Sequence, residues 1–259
     1  MPQDYTFAVL GTEDERFKEL RKLLRFKWKE SEPEHASIVV LPLPFKLTDD
    51  ILACLRPEHL VFAGKVSDED KMRAWSAGIT LYDYYAREEL DILNAVATAE
   101  GAIELASRET DITLWRSKIL ILGYGRVGTA LAYRLKGLGA CVSVYARSKA
   151  DKARIDVYGY QNADMTGGLN GYDIIINTVP ARIIRRGELS RMRSGALLID
   201  LASAPGGVDF QAAEELGVHA IHALGLPGKV APRTSAELIR DTIFNMLIEL
   251  EENVNANRD

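Results

Sequence analysis

The sequence is short of residues that could hold a fold together by covalent or metal cross-links. Its 259 residues include only two cysteines, Cys54 and Cys141, and neither has a partner at metal-ligand spacing. This excludes a disulfide framework and predicts no metal site. We expect both thiols to act as small apolar side chains in a reducing compartment.

Long apolar runs and basic clusters are also missing. No stretch approaches 18 consecutive apolar residues, and the N-terminal MPQDYTFAVLG has no basic leader followed by an apolar run. We therefore expect no membrane span and no secretory signal, hence a cytoplasmic protein. The formal net charge of −5, without a basic block, argues against nucleic-acid binding as the main role. At 47% hydrophobic residues, the chain can bury a large core.

The first third of the chain alternates strand and helix patterns. Glu13–Phe26 has the apolar spacing of an amphipathic helix, Thr48 is a good N-cap, and Ser67–Asp70 forms a capping box. Four apolar segments predict strands: YTFAVLG, ASIVVLPLP, HLVFAGK and GITLYDYY. Four strands with intervening helices predict a compact, flavodoxin-like parallel α/β layer.

The middle of the chain, Arg87–Thr110, consists mostly of strong helix formers. It predicts either one helix or two, broken near Asn94–Thr98, in which case Thr98 would be a fresh N-cap. After it the alternation resumes. We predict strands at 118–122, 140–146, 173–177, 196–201 and 219–224, and helices at 125–137, 207–216 and 234–252. The last helix would open with the capping box Thr234–Glu237.

These elements predict an α/β protein of two domains. Residues 1–97 would form the N-terminal α/β domain, which would bind the substrate. Residues 98–259 would form a Rossmann-type doubly wound parallel sheet, with a linker helix over 98–110 and a C-terminal helix that could pack back on the first domain. Two such units predict a cleft, with ligands beyond the carboxyl ends of the strands.

A glycine turn opens the second domain. In KILILGYGRVGTALAYRLKGLG, a strand runs into G-x-G-x-x-G and then into a helix, which is the context that makes this otherwise weak pattern informative. Gly123 would allow the tight turn, Gly125 the approach of a diphosphate to backbone, and Gly128 close helix packing. The residues expected around the diphosphate are Gly123, Tyr124, Gly125, Arg126, Val127 and Gly128.

The end of the next strand indicates which dinucleotide is bound. An NAD site usually has a carboxylate there for the ribose 2′-OH. In CVSVYARSK the strand ends without one, and Arg147, Ser148 and Lys149 follow. A guanidinium binds a 2′-phosphate that a carboxylate would repel. The sequence therefore favours NADP over NAD, although NAD remains possible.

Two further strand ends would face the nicotinamide half of the cofactor. YDIIINTVP predicts contacts from Asn177, Thr178, Val179 and Pro180, and LIDLASAPGG predicts contacts from Ala202 and Ser203. We expect Asp200 to orient local backbone rather than to catalyse. His219 and His222 show no metal-ligand spacing, and we expect them to be packed or hydrogen-bonded.

An ordered set of motifs resembles a known family. LNAVATAEGAIELA, ILILGYGRVG, NTVP, LIDLASAPGG and GLPGKVAP together are similar to the dipicolinate synthase A-subunit family, well over residues 85–250 and in outline before that. More distantly, the architecture is similar to 2-hydroxyacid dehydrogenases. The resemblance implies the substrate dihydrodipicolinate, a partner in the form of a flavoprotein-like B subunit, and expression in the mother cell of a sporulating bacterium. We also expect a homo-oligomer.

The implied reaction is NADP-dependent oxidation of a dihydropyridine dicarboxylate to an aromatic pyridine, in which the protein chiefly positions the reactants. Two substrate carboxylates need donors. The candidates are Lys65, Lys229, Asn94 and Thr98, with the N–H groups that follow Thr98 if a helix starts there. Glu100 is a candidate base, and Lys65 a second candidate catalytic residue.

Two other functions remain open. One is a 2-hydroxyacid or shikimate-type dehydrogenase, which usually needs a His–carboxylate or a Lys–Asp pair. The four histidines form no obvious pair with a carboxylate, but Lys65 could belong to a Lys–Asp pair, so this function stays open. The other is a nucleotide-binding subunit that is inactive without a flavoprotein partner.

Overall fold

A computed structural model describes residues 5–165 and 168–256. The described chain divides into two compact units. One comprises the residues up to Asn94 together with those from Pro227 onward, and the other is Ala95–Leu226. None of the helices in these ranges is both long and apolar enough to span a bilayer.

The first unit is built on a five-stranded parallel sheet. Its strands are β1 (Thr6–Val9), β2 (Lys29–Glu30), β3 (Ile38–Val40), β4 (Leu60–Ala63) and β5 (Leu81–Asp83), in the order β2-β1-β3-β4-β5. This is the flavodoxin-like order, in which the chain reverses its direction of travel across the sheet between β1 and β3. The predicted fold is confirmed; the two-residue strand β2 was too short to predict.

Helices α1 (Glu15–Arg25), α2 (Asp49–Cys54) and α3 (Asp68–Ser76) connect these strands. The caps at the last two follow the prediction: the Thr48 hydroxyl accepts a hydrogen bond from the N–H of Ile51, and the Ser67 hydroxyl from that of Asp70. Helix α1 buries the predicted apolar face, Phe17, Leu20 and Leu24.

A single helix, α4 (Glu88–Arg108), occupies the middle of the chain. The helix is therefore not broken near Asn94–Thr98, and the possible fresh start at Thr98 is wrong. The N–H groups near Thr98 lie in the helix interior, where they donate to carbonyls four residues earlier. They are not available to a substrate carboxylate.

The second unit is a doubly wound six-stranded parallel sheet. Its strands are β6 (Lys118–Leu122), β7 (Cys141–Tyr145), β8 (Gln161–Asn162), β9 (Ile174–Asn177), β10 (Leu197–Asp200) and β11 (His219–His222), in the order β11-β10-β9-β6-β7-β8. Helices α5 (Arg126–Gly137), α6 (Lys149–Val157), α7 (Arg186–Leu189) and α8 (Phe210–Glu215) connect them. This is the Rossmann order, as predicted.

The C-terminal segment holds a short helix that the sequence pattern did not predict, α9 (Leu226–Val230), within GLPGKVAP. The next helix, α10 (Pro232–Ala256), begins before the expected capping box. Pro232 at the first helical position explains the earlier start, because its fixed φ suits a helix and its missing N–H costs nothing there. Thr234 therefore lies inside the helix and is not its cap.

Helix α10 packs on α1 within the first unit. Its residues Ile239, Ile243 and Leu247 share a core with Phe17 and Leu24. The compact units thus divide at Asn94, whereas the sequence-based boundary lay at 97. The sequence analysis counted the segment after Leu226 with the second domain and allowed its C-terminal helix to pack back on the first; in the structure this segment lies with the first unit.

This packing predicts the stability of variants on α10. The Ile243 side chain is fully buried, so Ile243→Ala should destabilise the protein by about 2–5 kcal/mol, through lost burial and an unfilled cavity. Ile248→Ala is the matched control, because that side chain is 39% exposed; it should change stability by only about 0.5 kcal/mol. Urea unfolding of both variants measures the difference, and similar losses would contradict the assigned packing.

Candidate nucleotide-binding and substrate site

The glycine turn after β6 depends on two very close approaches. A Cβ on Gly128 would lie 2.1 Å from the carbonyl oxygen of Gly123, so only glycine allows α5 to pack this tightly on the turn. Gly123 has φ +99°, and a Cβ there would lie 2.4 Å from Thr178 Oγ1. Both glycines are thus required by the turn itself.

The folded chain itself does not require glycine at position 125. A Cβ there would meet no described atom within 4 Å, and its φ of −81° strains no residue type. Gly125 is the N-cap of α5 and makes no side-chain cap, so the first N–H groups of the helix have no side-chain acceptor from the N-cap residue. This is the arrangement that binds a diphosphate at a helix start.

A cavity of about 510 Å³ opens beside this turn. Its lining combines backbone of the turn with groups that follow β7 and β9. The lining residues are Gly123, Tyr124, Gly125, Tyr145, Ala146, Arg147, Ser148, Asp151, Arg154, Val179, Ala181 and Ile183. A dinucleotide fits this site: the space at Gly125 is open, this N-cap residue of α5 lines the cavity, and cations follow the end of β7.

The charged groups of this cavity come from the loop after β7 and from α6. Arg147 and Arg154 contribute guanidinium groups, and Asp151 contributes a carboxylate 3.3 Å from Arg154. Because that pair is internally balanced, one positive charge remains in excess. The Ser148 hydroxyl accepts from the N–H of Asp151 and caps α6.

Sequence reasoning missed α6 and with it Asp151 and Arg154. A signal was present, since Ser148-x-x-Asp151 matches a capping box. Ala181 and Ile183 were also missed; they follow Pro180, and apolar loop residues have no distinguishing pattern. Lys149, at the first position of α6, is exposed and is not part of the cavity lining.

The structure assigns Asn177 to a buried hydrogen-bond network rather than to the cavity. Asn177 is fully buried; its Nδ2 donates to Asp200 Oδ1 at 2.7 Å and to the carbonyl of Val179 at 3.1 Å. Asp200 also accepts from the N–H groups of Ala202 at 3.1 Å and Gly207 at 2.8 Å. Asp200 therefore orients local backbone, as expected, whereas the expectation that Asn177 faces the nicotinamide is wrong.

The remaining residues predicted to bind the cofactor differ in their position relative to the cavity: one supports the turn, one lines the cavity, and the others lie outside its lining. The Thr178 hydroxyl donates to the carbonyl of Leu122 at 2.8 Å and packs beneath Gly123. Val179 lines the cavity. The other predicted residues are outside its lining: Arg126, Val127, Gly128, Pro180, Ala202 and Ser203.

Three polar groups of the first unit come together after β4 and β5. Lys65 Nζ lies 5.0 Å from the ring centre of Tyr85, and Asn94 Nδ2 donates to the Tyr85 hydroxyl at 3.2 Å. Lys65 has φ +59°, and its N–H donates to Asp83 at 3.1 Å. Burial raises the pKa of Tyr85, so its hydroxyl stays protonated at neutral pH. Lys65 and Asn94 were predicted; Tyr85 was not.

Glu100, Thr98 and Lys229 are the remaining predicted residues. Glu100 is exposed on α4 and lies 3.4 Å from Arg134. Arg134 is about 12 Å along α5 from the glycine turn, so Glu100 is not placed at that turn. Thr98 is half-buried on α4, and Lys229 is exposed on α9.

Three of the four histidines, His59, His219 and His222, lie in different settings. His59 is buried, its Nδ1 accepts from the N–H of Arg56 at 3.2 Å, and burial lowers its pKa. His219 lies 3.7 Å from Glu109, but it begins β11 and so lies at the edge of the sheet opposite to the carboxyl ends. His222 ends β11, with Nε2 3.4 Å from the carbonyl of Ala202.

The class of protein follows from this fold, this turn and a family match. The model for the NAD-binding domain of D-isomer-specific 2-hydroxyacid dehydrogenases matches residues 81–224. The chain is therefore a dehydrogenase-type oxidoreductase that uses a nicotinamide cofactor.

A second set of relatives defines a narrower family. The A-subunit of dipicolinate synthase from Bacillus subtilis (strain 168) is 37% identical over 199 residues, covering 75% of this chain and 67% of that protein. The crystal structure of the dipicolinate synthase A chain from B. subtilis matches with a TM-score of 0.83 and 28% identity, over 98% of both chains. The corresponding protein from Bacillus halodurans matches with a TM-score of 0.81 and 27% identity, over 95% of this chain and 97% of that one. This chain belongs to the dipicolinate synthase A-subunit family.

The two kinds of glycine in the turn predict different consequences of mutation. Gly125→Ala should change stability by less than about 1 kcal/mol, because its Cβ meets no described atom within 4 Å and only the N-cap preference for glycine is lost. It should weaken nucleotide binding at least about 10-fold by filling the space of the ligand. Gly128→Ala should lose binding and also destabilise the protein by about 1–3 kcal/mol. Calorimetric titration and thermal unfolding measure the two effects.

The control is Gly137→Ala, at the far end of the same helix, where a Cβ also meets no described atom within 4 Å. It should leave nucleotide affinity unchanged and, because alanine favours a helix more than glycine does, it should not destabilise the protein. Unchanged nucleotide affinity in Gly125→Ala would contradict the assigned diphosphate site.

Proposed function

We propose that this chain oxidises dihydrodipicolinate to dipicolinate, pyridine-2,6-dicarboxylate, with NADP as the oxidant. The observation that carries the proposal is the glycine turn, with open space at Gly125 and guanidinium groups at the end of β7, in a member of this family. In the reaction a ring C–H bond breaks with its electron pair, a ring proton leaves to a base or to water, and the pyridine becomes aromatic. Bound NADP supplies the hydride acceptor.

The chain's contribution to this reaction is chiefly positioning. Formation of the aromatic ring provides much of the driving force. The protein therefore needs to hold the anionic nucleotide and the anionic substrate in a reactive orientation more than to supply a strong acid or base. The α5 N-terminus and Gly125 would hold the diphosphate, and Lys65, with the protonated Tyr85 hydroxyl, could contact a substrate carboxylate.

The proposal of NADP rather than NAD rests on the charges after β7. No carboxylate ends this strand; Arg147 follows it, and the carboxylate that lines the cavity, Asp151, is paired with Arg154. A 2′-phosphate would gain charge-assisted hydrogen bonds from these guanidinium groups. An unphosphorylated ribose would find no free acceptor of the usual kind.

The biological setting is proposed from family membership. We infer that the partner is a dipicolinate synthase B subunit of flavoprotein type, that the assembly is homo-oligomeric, and that the protein acts in the mother cell during sporulation. Two other functions, a subunit inactive on its own and a 2-hydroxyacid or shikimate-type dehydrogenase, are outcomes that the assay below separates.

The proposed cofactor preference predicts an asymmetric response to charge reversal. Arg147→Asp should weaken NADP binding about 10- to 100-fold, the value of one or two charge-assisted hydrogen bonds, while changing NAD binding far less. Lys152→Asp is the control, since it makes the same charge change on an exposed position of α6 that is outside the cavity lining. Titrations of both variants with both nucleotides test this, and equal losses for NADP and NAD in Arg147→Asp would refute the preference.

The proposed reaction predicts turnover by the purified chain alone. With NADP and freshly generated dihydrodipicolinate, the absorbance of reduced nicotinamide should rise and dipicolinate should accumulate in equal amounts. Turnover of hydroxy acids instead would support the 2-hydroxyacid or shikimate-type function. Activity that appears only after a flavoprotein is added would mean that this chain organises a partner.

A further inference from the structure

The first unit has its own ligand-binding position, defined by its sheet order. In the order β2-β1-β3-β4-β5 the chain leaves β1 in one direction and returns to β3 in the other. Open parallel sheets bind ligands in the crevice beyond the carboxyl ends of the two strands where this reversal occurs. The loops after β1 and after β3 border that crevice, and they touch: a Cβ on Gly11 would lie 2.3 Å from Pro42 Cβ.

One cation bridges these two loops. Arg16, in the first turn of α1, donates from Nη2 to the carbonyl of Leu43 at 3.0 Å, in the loop after β3. Its Nε donates to Asp14 Oδ1 at 3.0 Å, in the loop after β1. The guanidinium therefore lies at the reversal point.

The environment of Arg16 is that of a fixed donor rather than a solvated side chain. Only 14% of the side chain is exposed. Hydrogen bonds from Arg16 hold the pKa of Asp14 below its usual range, so the pair remains ionised. The backbone of Gly228 covers the guanidinium from another side: a Cβ there would lie 2.7 Å from Arg16 Nε and 3.1 Å from Cζ.

The Arg16 guanidinium has further N–H groups that can donate hydrogen bonds. A guanidinium carries five N–H groups. Nε and Nη2 are occupied, whereas Nη1 has no hydrogen-bond partner among the described residues and keeps contact with solvent. A half-buried arginine that is held by two of its nitrogens and has the third unpartnered among the described residues is prepared to bind an anion.

Further groups that can bind an anion follow the neighbouring strands of the same sheet. Lys65 follows β4 and lies over the ring of Tyr85, which follows β5. Arg16 is near enough to Tyr85 to counteract, through its charge, part of the rise that burial causes in the pKa of that hydroxyl. Parallel strands place all three residues at one edge of the sheet.

We propose that Arg16 is a substrate-binding residue of the first unit, whose Nη1 binds a carboxylate of the substrate, with Lys65 and the Tyr85 hydroxyl at the same edge. The ligand class is a small di- or monocarboxylate. The inference deepens the proposed function and rests on it for the identity of the substrate, but the carboxylate site itself can be tested by binding alone.

The test is Arg16→Gln in the full chain. We expect KM for dihydrodipicolinate to rise about 10- to 100-fold, with a smaller change in kcat and an unchanged Kd for NADP, since one charge-assisted contact is lost. The Kd for the product, pyridine-2,6-dicarboxylate, should rise by a similar factor. Arg25→Gln is the matched control: it lies on the same helix, pairs with Glu30, and should change none of these values.

Two more variants separate the donor from its neighbours. Removing Arg16 alone leaves the negative charge of Asp14 without its partner, and that charge could itself repel a carboxylate ligand. The double variant Asp14→Asn/Arg16→Gln removes this repulsion. Carboxylate binding should stay weak in it, and full recovery of binding would overturn the proposal. Asparagine can still cap α1 in place of Asp14. Gly228→Ala keeps every charge but displaces the guanidinium, and it should weaken carboxylate binding in the same direction. Thermal unfolding identifies variants that fail to fold.

The outcomes distinguish this inference from the proposed function. If the wild-type chain turns over dihydrodipicolinate and Arg16→Gln leaves KM and product Kd unchanged, the inference fails and the function stands. If the wild type shows no turnover but binds pyridine-2,6-dicarboxylate or oxalate in a manner that Arg16→Gln abolishes, the inference stands and the function fails. If the wild type binds none of these carboxylates, the inference is overturned.

Discussion

The close approach of α5 to the end of β6 is the contact on which the nucleotide site depends. Only hydrogen on the Cα of Gly128 allows this helix to lie against the carbonyl of Gly123. Because the helix starts so close to the strand end, its N-cap Gly125 lines the cavity together with the turn residues Gly123 and Tyr124. The same backbone arrangement supplies both the partial positive charge and the space for a diphosphate, without any charged side chain.

Near this turn, several polar groups stabilise the loops and do not line the cavity. The buried carboxylate of Asp200 is satisfied by an amide side chain and two backbone N–H groups, which fixes the loops after β9 and β10. A buried carboxylate left without those donors would be costly, so Asn177 and the backbone near Gly207 are committed to it. A site whose polar groups are committed in this way suits a reaction that needs orientation more than proton transfer.

The parts of the structure that could be predicted are those encoded by short patterns. The glycine turn, the strand segments and the caps at Thr48 and Ser67 each depend on residues within about one helical turn. What could not be predicted depends on distant partners. Asn177 has the pattern of a ligand-facing strand end, but its partner is 23 residues away on β10. Packing of the C-terminal helix on the first domain could be suggested, but its partner could not be identified, because that partner is an apolar face of α1 more than 200 residues earlier. Arg16 looks like an ordinary first-turn charge until the sheet order is known.

The distribution of charge explains how an acidic chain can handle anionic ligands. The net charge of −5 is spread over the whole surface, and at physiological ionic strength exposed charges act over only about 8 Å. What a bound anion experiences is therefore set locally. In each unit taken by itself, cations follow the strands: Arg147 and Arg154 after β7, and Arg16 and Lys65 after β1 and β4. Parallel strands all end at one edge, so loops remote in sequence contribute to one local field, and the overall sign of the protein has little influence there.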